Sequence, residues 1–275
     1  MSLILAKCIE FEDKRKICIA EEKGKKYVLS NNSDVLIRKP QSAIDRFHLR
    51  YQHYLQRTAS NRMTIQPRLT ISLRCYGRPQ RTIRAIKSVL KQNTNNWELI
   101  ITGDACPHFE TNEFKNFIQA AKLYAMQNGN TITCSNNSMH TGSCGYQIIN
   151  HDIAIAKGRY FMFMSNDDVM LSNHAANYLR HIEGTPYKWV YFDTWLRPAN
   201  GIRLAELEKD RIGHSELIIE TEYLRSMPAH GPNYGHDWEL VQNLMIGTKL
   251  YKKAVGAPQT YQVMSVPGNQ EQGID

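Results

Sequence analysis

The residues best suited to chemistry in this sequence are acids placed where a buried strand should end. Phe161–Met164 is a run of four bulky apolar residues, followed at once by Ser165, Asn166, Asp167 and Asp168. Two neighbouring carboxylates at the end of an apolar strand repel one another unless a positive group meets them. A hard divalent cation does this naturally, since Mg2+ and Mn2+ take carboxylate oxygens and bridge them to substrate phosphates. The plainer alternative is that Asp167 caps the next helix and Asp168 faces water. Asp104 follows a second apolar segment, Trp97–Gly103. Arg74, Cys75, Tyr76, Gly77 and Arg78 close a third, which begins at Leu69.

These groups act together only if the chain brings them to one edge. From Leu69 onward the hydrophobic pattern switches between two periods. LTISLRCY, WELIITG, NTITCSN and RYFMFMS read as strands. Between them, RTIRAIKSVLKQ, NEFKNFIQAAKLYAMQNG and YQIINHDIAIAKG read as helices. Ile83, Ile86, Val89 and Leu90 share a face of the first helix, Pro79 suits its first turn, and Gly129 ends the second. Strands alternating with helices predict an α/β fold with a mostly parallel sheet covered on both faces, and Tyr160–Met164 as a central strand. Such sheets bind ligands at the carboxyl ends of their strands. Asp104, Asp167, Asp168 and the Arg74–Arg78 stretch all fall there.

The 275 residues, 42% hydrophobic and 22% charged, suit one α/β domain with extensions or two small domains. The net charge of +8 is uneven: residues 1–91 hold about 20 Lys and Arg against about 7 Asp and Glu, and the remainder is net acidic. A basic N-terminal third points to a polyanionic partner (nucleic acid, anionic membrane or phosphates) or to a solvated basic face. Residues 1–37 read as a small antiparallel hairpin with Gly24 near the turn. Residues 42–59 read as an amphipathic helix, with Ile44, Phe47, Tyr51 and Tyr54 or Leu55 on one face and Arg46, Arg50 and Arg57 on the other. No run of eighteen apolar residues occurs, so no membrane-spanning helix is expected, and the first residues do not form a secretory signal. The six cysteines form no CxxC motif and are expected as reduced thiols in a cytoplasmic protein. His140, His151, His174, His214 and His236 are scattered and read as structural or surface residues.

Taken in order, LTISLRCYGRP, WELIITGDAC and NHDIAIAKGRYFMFMSNDD resemble the family 2 glycosyltransferases, whose usual patterns are VSVIIPTYNRP, FEIIVVDDGS and RNxGIxxAxGxYIxFLDSDD. The likeness covers roughly residues 69–172 and continues weakly to about residue 250. It implies the GT-A fold, a Rossmann-like, mostly parallel sheet flanked by helices. Residues 1–66 would be a basic extension and 67–275 the glycosyltransferase domain, with 67–172 its nucleotide-sugar half and 173–275 its acceptor half and tail. In the resemblance, Cys75 and Tyr76 line the nucleotide base, Arg74 and Gly77 replace the usual Pro and Asn, and Arg74 and Arg78 join the donor-binding set. Asp104 matches the second acid of DDGS, while Gly103 replaces the first. Asn150 matches the Asn of RN, while Ile149 replaces its Arg. Ser165 and Asn166 occupy the start of the acidic triplet and join the donor site. Asp167 matches the metal-holding acid, with Asp168 beside it.

Further on, HDWEL resembles an EDW-like element, with Asp237 at the catalytic-base position, His236 replacing Glu, and Glu239 as the fallback base. The plain alternative is that Asp237 caps a helix and Trp238 is buried. The implied activity is a metal-dependent, inverting sugar transfer from a nucleotide-diphosphate donor to an acceptor hydroxyl. Mn2+ or Mg2+ and a UDP-sugar are the implied cofactor and donor. A carboxylate must take the hydroxyl proton as the oxygen attacks. The acceptor is either a glycan or a hydroxymethylated base in phage DNA, the latter needing base flipping and phosphate contacts from the basic third. The other reading is a non-catalytic protein that retains the fold for nucleotide-sugar or nucleic-acid binding, motivated by the acids missing at Gly103 and Ser165. A nucleotidyltransferase is disfavoured, since no Gly-rich phosphate loop follows the first strand. The tail from Gln259 lacks the metal-proximal His of some relatives and reads as a lid, with Gly268 and Gly273 permitting motion.

Overall fold

The computed structural model describes residues 4–10, 16–22, 25–30, 66–142, 145–232, 235–254 and 260–264. The chain divides into two compact units, Met1–Ile65 and Gln66–Asp275. In the first, β1 (Ile4–Glu10), β2 (Lys16–Glu22) and β3 (Lys25–Ser30) form an antiparallel three-stranded sheet in the order β1-β2-β3. The expected hairpin is β2 paired with β3, in register from Glu22↔Lys25 to Ile17↔Ser30. The sequence reading did not separate β1 as a third strand. The turn at Gly24 and the amphipathic helix over 42–59 lie outside the described residues.

The second unit runs β4 (Leu69–Cys75), α1 (Pro79–Leu90), β5 (Trp97–Gly103), α2 (Asn112–Gln127), β6 (Thr131–Asn136), α3 (Tyr146–Ile155), β7 (Tyr160–Ser165), β8 (Val169–Met170) and α4 (His174–Ile182). It continues with β9 (Trp189–Tyr191), β10 (Thr194–Leu196), β11 (Gly201–Arg203), β12 (Leu217–Glu220), α5 (Thr221–Arg225), α6 (His236–Gly247), β13 (Tyr251–Lys253) and β14 (Tyr261–Val263). Seven strands form the main sheet in the order β13-β9-β12-β7-β4-β5-β6. All pairs in it are parallel except the two made by β12, which runs against both β7 and β9. The expected mostly parallel sheet is therefore present, and β7 lies at its centre. A second sheet, β11-β10-β14-β8, was not foreseen. Its strands are two or three residues long, too short to leave a periodic signal.

Alternation along the central strands divides the core. Leu69, Ile71, Leu73 and Cys75 of β4 and Tyr160, Met162 and Met164 of β7 join one apolar cluster, packed with Ile86 and Val89 of α1, Phe114 and Ile118 of α2 and Tyr178 of α4. Phe161 and Phe163 belong to a second cluster, with Ile149 of α3, Leu224 of α5 and Val241 of α6. The sheet is thus covered on both faces, as parallel strands require.

The opposite face of β4 is polar yet buried. Ser72 and the β5 residue Thr102 donate their hydroxyls to Asp152 of α3, at 2.7 and 2.8 Å, and Thr70 donates to Glu98 at 2.5 Å. Burial raises the Asp152 pKa, and the two hydroxyls oppose that rise. These bonds fix α3, and with it Asn150, over the strand ends. Gly158, just before β7, is glycine for steric reasons: a methyl there would overlap the Thr70 backbone.

Candidate active site

The site forms where β4, β5 and β7 end. Gly77 and Arg78 both adopt left-handed backbone angles (φ 58° and 53°), which turns the chain sharply out of β4 and into α1. Glycine takes this conformation freely, while Arg78 bears a cost of roughly 1–2 kcal/mol. Local bonds offset that cost. Arg78 Nη1 donates to Asp167 Oδ2 at 2.7 Å. Asn166 Nδ2 donates to Thr82 Oγ1 at 2.9 Å and to the Gly77 carbonyl at 3.2 Å, and Arg84 Nη2 donates to the Asp167 carbonyl at 3.2 Å. The segment after β7 is thereby tied to the first turn of α1. Asn166, implied as a donor ligand, spends its amide on this tie.

Asp168 turns away from Arg78. The Tyr261 hydroxyl donates to its Oδ2 at 2.8 Å, and the Met264 N–H donates to its Oδ1 at 3.1 Å. Burial, then the neighbouring Asp167 charge, pushes the Asp168 pKa up to about 7. The solvent-facing alternative for Asp168 does not hold, since only 5% of the residue is exposed. Tyr261 also accepts from the Ser165 N–H at 3.3 Å. Part of the expected lid is therefore a built-in strand: β14 pairs with β8, and Tyr261 is fully buried. Gly268 and Gly273 lie outside the described residues.

A cation site needs hard oxygen donors, six or more for Ca2+ and near-octahedral for Mg2+. Here Ser165 offers a neutral hydroxyl, both Asp168 oxygens are engaged, and one Asp167 oxygen is held by Arg78. Among the described residues no group of three His, Cys, Asp or Glu is arranged to hold a metal. The described residues form no ready-made cage for a resident divalent cation.

At the end of β5, Asp104 is buried. Its Oδ1 accepts from the Thr141 N–H at 2.7 Å, and its Oδ2 pairs with His140 Nδ1 at 2.7 Å. The His140 ring stacks on Tyr76, centroids 4.6 Å apart and planes 24° from parallel. Tyr76 is 61% exposed, so an aromatic face and a carboxylate adjoin at the surface. Cys75, implied beside the base, instead sends its thiol into the core, where burial raises its pKa. Gly103 stands where the resemblance has an acid, because a side chain there would overlap the Asn136 amide and crowd Phe109. Asn136 in turn receives the Cys106 N–H at 2.9 Å and shapes the loop after Asp104.

The other wall comes from the loops before β12 and α6. Asn150 donates to the His230 carbonyl at 2.9 Å and accepts from the His230 N–H at 2.8 Å. Implied as a donor ligand, it instead holds the loop that leads into α6. His214, His230 and His236 cluster there, with His214 Nε2 and His230 Nε2 3.0 Å apart and all three rings buried. Asp237 lies in the first turn of α6, but the cap is Gly235, with φ 95°, so the helix-cap alternative does not apply. A methyl on Gly213 would sit 3.3 Å from both Asp237 Oδ2 and Glu216 Oε2, which puts the two acids around one small notch. Glu239 is exposed.

Arg74, Ser165, Asp167 and Asp168 line one side of a cleft of roughly 370 Å³, and Gly213, His214 and Asp237 line the other. Tyr76, Asp104 and Asn150 do not line it. The fold matches solved structures. Staphylococcus aureus TarS 1-349 in complex with UDP superposes with a TM-score of 0.57 at 12% identity, covering 73% of this chain and 61% of that one. The mannosyltransferase PcManGT from Pyrobaculum calidifontis, in complex with GDP-Man and Mn2+, gives 0.57 at 12% identity over 74% and 59%. The chain has the GT-A fold. The GT-A likeness extends to sequence: 119 residues are 32% identical to the Escherichia coli protein named as a colanic acid biosynthesis glycosyl transferase, WcaA. That match covers 43% of this chain and 39% of WcaA, so the chain spans well under half of that relative. No family model matches the chain.

Two residues that bond the strand-end acids, His140 and Tyr261, stand outside the motifs quoted above. For His140 a usable signal exists in its place after a strand end, in the loop that faces Asp104. Tyr261 had none, because its partner Asp168 is 93 positions away.

Proposed function

We propose that the chain transfers a sugar from a nucleotide-diphosphate donor to a glycan hydroxyl, with inversion at the anomeric carbon. The observation that carries this reading is the shared cleft, with the strand-end group at Asp167 on one wall and Asp237 on the other. In the reaction the acceptor oxygen bonds to the anomeric carbon as the bond to the diphosphate breaks, and that electron pair leaves with the diphosphate. Asp237 takes the acceptor proton. One displacement with one base inverts the centre. The Tyr76, His140 and Asp104 group receives the nucleotide base. Tyr76 supplies a stacking face and the Asp104 pair supplies polar contacts.

The UDP and GDP-Man seen in the solved neighbours support a nucleotide-sugar donor, and the name of WcaA supports a glycan acceptor. The metal requirement implied by the resemblance is left out of this reading, because the described residues form no ready-made cage for the cation. Calorimetry with UDP, GDP, CDP and dTDP tests the donor: one of the four binds preferentially. Failure of all four favours a fold retained without catalysis. Transfer to hydroxymethylated DNA and to no glycan would move the acceptor to nucleic acid and give the basic N-terminal third its role.

A further inference from the structure

Arg203 lines the cleft on the Asp237 side, and 28% of its side chain is open. It lies on β11, the edge strand of the small sheet, where the register sets it opposite Thr194 of β10. Cross-strand partners share a face, and both side chains of this pair reach Glu216. Thr194 Oγ1 donates to Glu216 Oε1 at 3.0 Å, and Arg203 Nη1 stands 3.4 Å from the same oxygen. Ile202, one residue earlier, takes the opposite face and is 50% exposed.

Glu216 does not fully account for this arginine. Its carboxylate is completely buried and is already hydrogen-bonded, by Thr194 at Oε1 and by the Gly213 N–H at Oε2, 2.8 Å. Arg203 offsets the charge, but 3.4 Å is longer than a charge-assisted bond, which spans about 2.7–2.9 Å. Among the described residues Glu216 is the one ionic partner of the guanidinium, and no side chain or carbonyl accepts a hydrogen bond from it. A fork approached through one nitrogen keeps another edge for a two-point contact, which suits a carboxylate.

The surroundings say which carboxylate. Glu216 links Arg203 to the acceptor-side acid: its Oε1 faces the guanidinium, and its Oε2 shares with Asp237 Oδ2 the notch at Gly213. Asp167, Asp168, Asp210 and Asp237 all line the cleft, so a negative substituent is repelled wherever no guanidinium stands. Arg74 belongs to the strand-end wall, at the end of β4, which leaves Arg203 for the acceptor. A sugar carrying its own carboxylate is then admitted in one orientation, with the acid on Arg203 and a hydroxyl toward Asp237.

We propose that Arg203 is the acceptor-recognition residue of this cleft, and that the acceptor is an acidic sugar, a uronic-acid unit of a glycan, whose carboxylate it binds. The proposal rests on the sugar-transfer reading above and adds the class of acceptor. It also gives a source of regioselectivity, since the seated acid decides which ring hydroxyl reaches Asp237.

The methyl glycosides of glucuronic, galacturonic and mannuronic acid are the probes. Each is titrated into the full chain beside its neutral hexoside, with binding followed by saturation-transfer NMR. At least one acid binds on the order of tenfold or more tighter than its neutral counterpart, the gain expected of one charge-assisted pair. Arg203→Gln brings the two to within about twofold, and Arg203→Lys keeps part of the preference. Glu216→Gln removes the competing charge, keeps an oxygen for the Gly213 N–H, and strengthens the preference. Arg203→Gln leaves a buried charge uncompensated, so Arg203→Gln/Glu216→Gln is measured beside it, and the loss of preference is read in whichever unfolds like the wild type. No preferred acid in the wild type overturns the proposal. So does a preference that survives loss of Arg203, or one that Glu216→Gln leaves unchanged, the result expected if Arg203 only neutralises Glu216. Nucleoside diphosphates separate this proposal from the reading beneath it. A bound nucleotide that expels the acid moves the carboxylate subsite to the donor, and the acceptor assignment falls. If no nucleoside diphosphate binds while the acid preference follows Arg203, the transferase reading falls and the acid-sugar site stands.

Discussion

Asp104 and Tyr76 come from the ends of different strands, yet one side chain joins them: His140 bonds the carboxylate with Nδ1 and lays its ring on the phenol. The imidazole thereby orients both the aromatic face and the carboxylate edge.

Replacing His140 with alanine should therefore weaken nucleoside diphosphate binding by about tenfold, the range of one aromatic–base contact plus a lost orienting bond. Tyr76→Ala should do the same. Neither should lower Tm appreciably, since both rings are largely open to solvent. Titration of the variants with UDP and GDP checks this, and an unchanged Kd in both would remove the base-binding role.

Asp237→Asn should leave nucleotide affinity intact and reduce kcat by roughly 10²–10⁴, the usual contribution of a general base. Glu239→Gln should leave kcat near the wild-type value, because Glu239 is exposed and is not part of the cleft wall. If the two variants exchange these behaviours, the base is misassigned.

Asn150→Ala removes both bonds to the His230 backbone. Unpaired buried backbone groups cost about 1–3 kcal/mol each, so losing two should lower stability by at most about 2–6 kcal/mol. The loop that delivers Asp237 should loosen, lowering kcat more than it raises the donor KM. A rise in donor KM with kcat preserved would indicate a direct phosphate contact instead.

Two buried groups give opposite pH dependences. Burial lowers His230 to about 3 and depresses His214 and His236, with the Arg74 charge adding to all three, while Asp237 and Glu239 oppose the shift at His236. The unfolded chain binds these protons near pH 6.5, so the histidines add stability that is complete above that value and drains away as pH falls toward 3. Asp168 works the other way. Its folded pKa near 7 exceeds the ordinary carboxylate value, so the folded state holds a proton that the unfolded state releases, and stability declines from about pH 4 to 7. Asp168→Asn should raise Tm more at pH 7.5 than at pH 4. His230→Gln should flatten the acid limb of the Tm curve. Identical pH profiles for wild type and both variants would refute the assignment.

What the sequence made legible was local. The alternation from Leu69 to Ser165 gave the parallel strands, their helices and the strand-end places of Asp104 and Asp167, because period and turn chemistry act within a dozen residues. What stayed hidden was set by contacts across the chain. Cys75 is implied beside the base, yet it shares the inner face of β4 with Leu69, Ile71 and Leu73, which carries its thiol into the core. Asn150 and Asn166 read as ligands by motif, yet their amides satisfy backbone and hydroxyl groups that no local pattern reveals. The reversed β12 carries an apolar run indistinguishable from a parallel one.

The pairing of Asp168 with Tyr261 has a consequence for how this protein is made. Ninety-three positions separate the two residues, so a ribosome finishes the motifs between Leu69 and Asp168 long before the acid meets its hydroxyl. Until β14 is released, that carboxylate sits beside Asp167 without its designed donors, and a buried group in that condition is held open to water. A fragment cut after the motif segment would keep the signature and lose both hydrogen-bond donors to Asp168. The hydrogen bonds of Asp168 are completed last, by a three-residue strand that no motif search would keep.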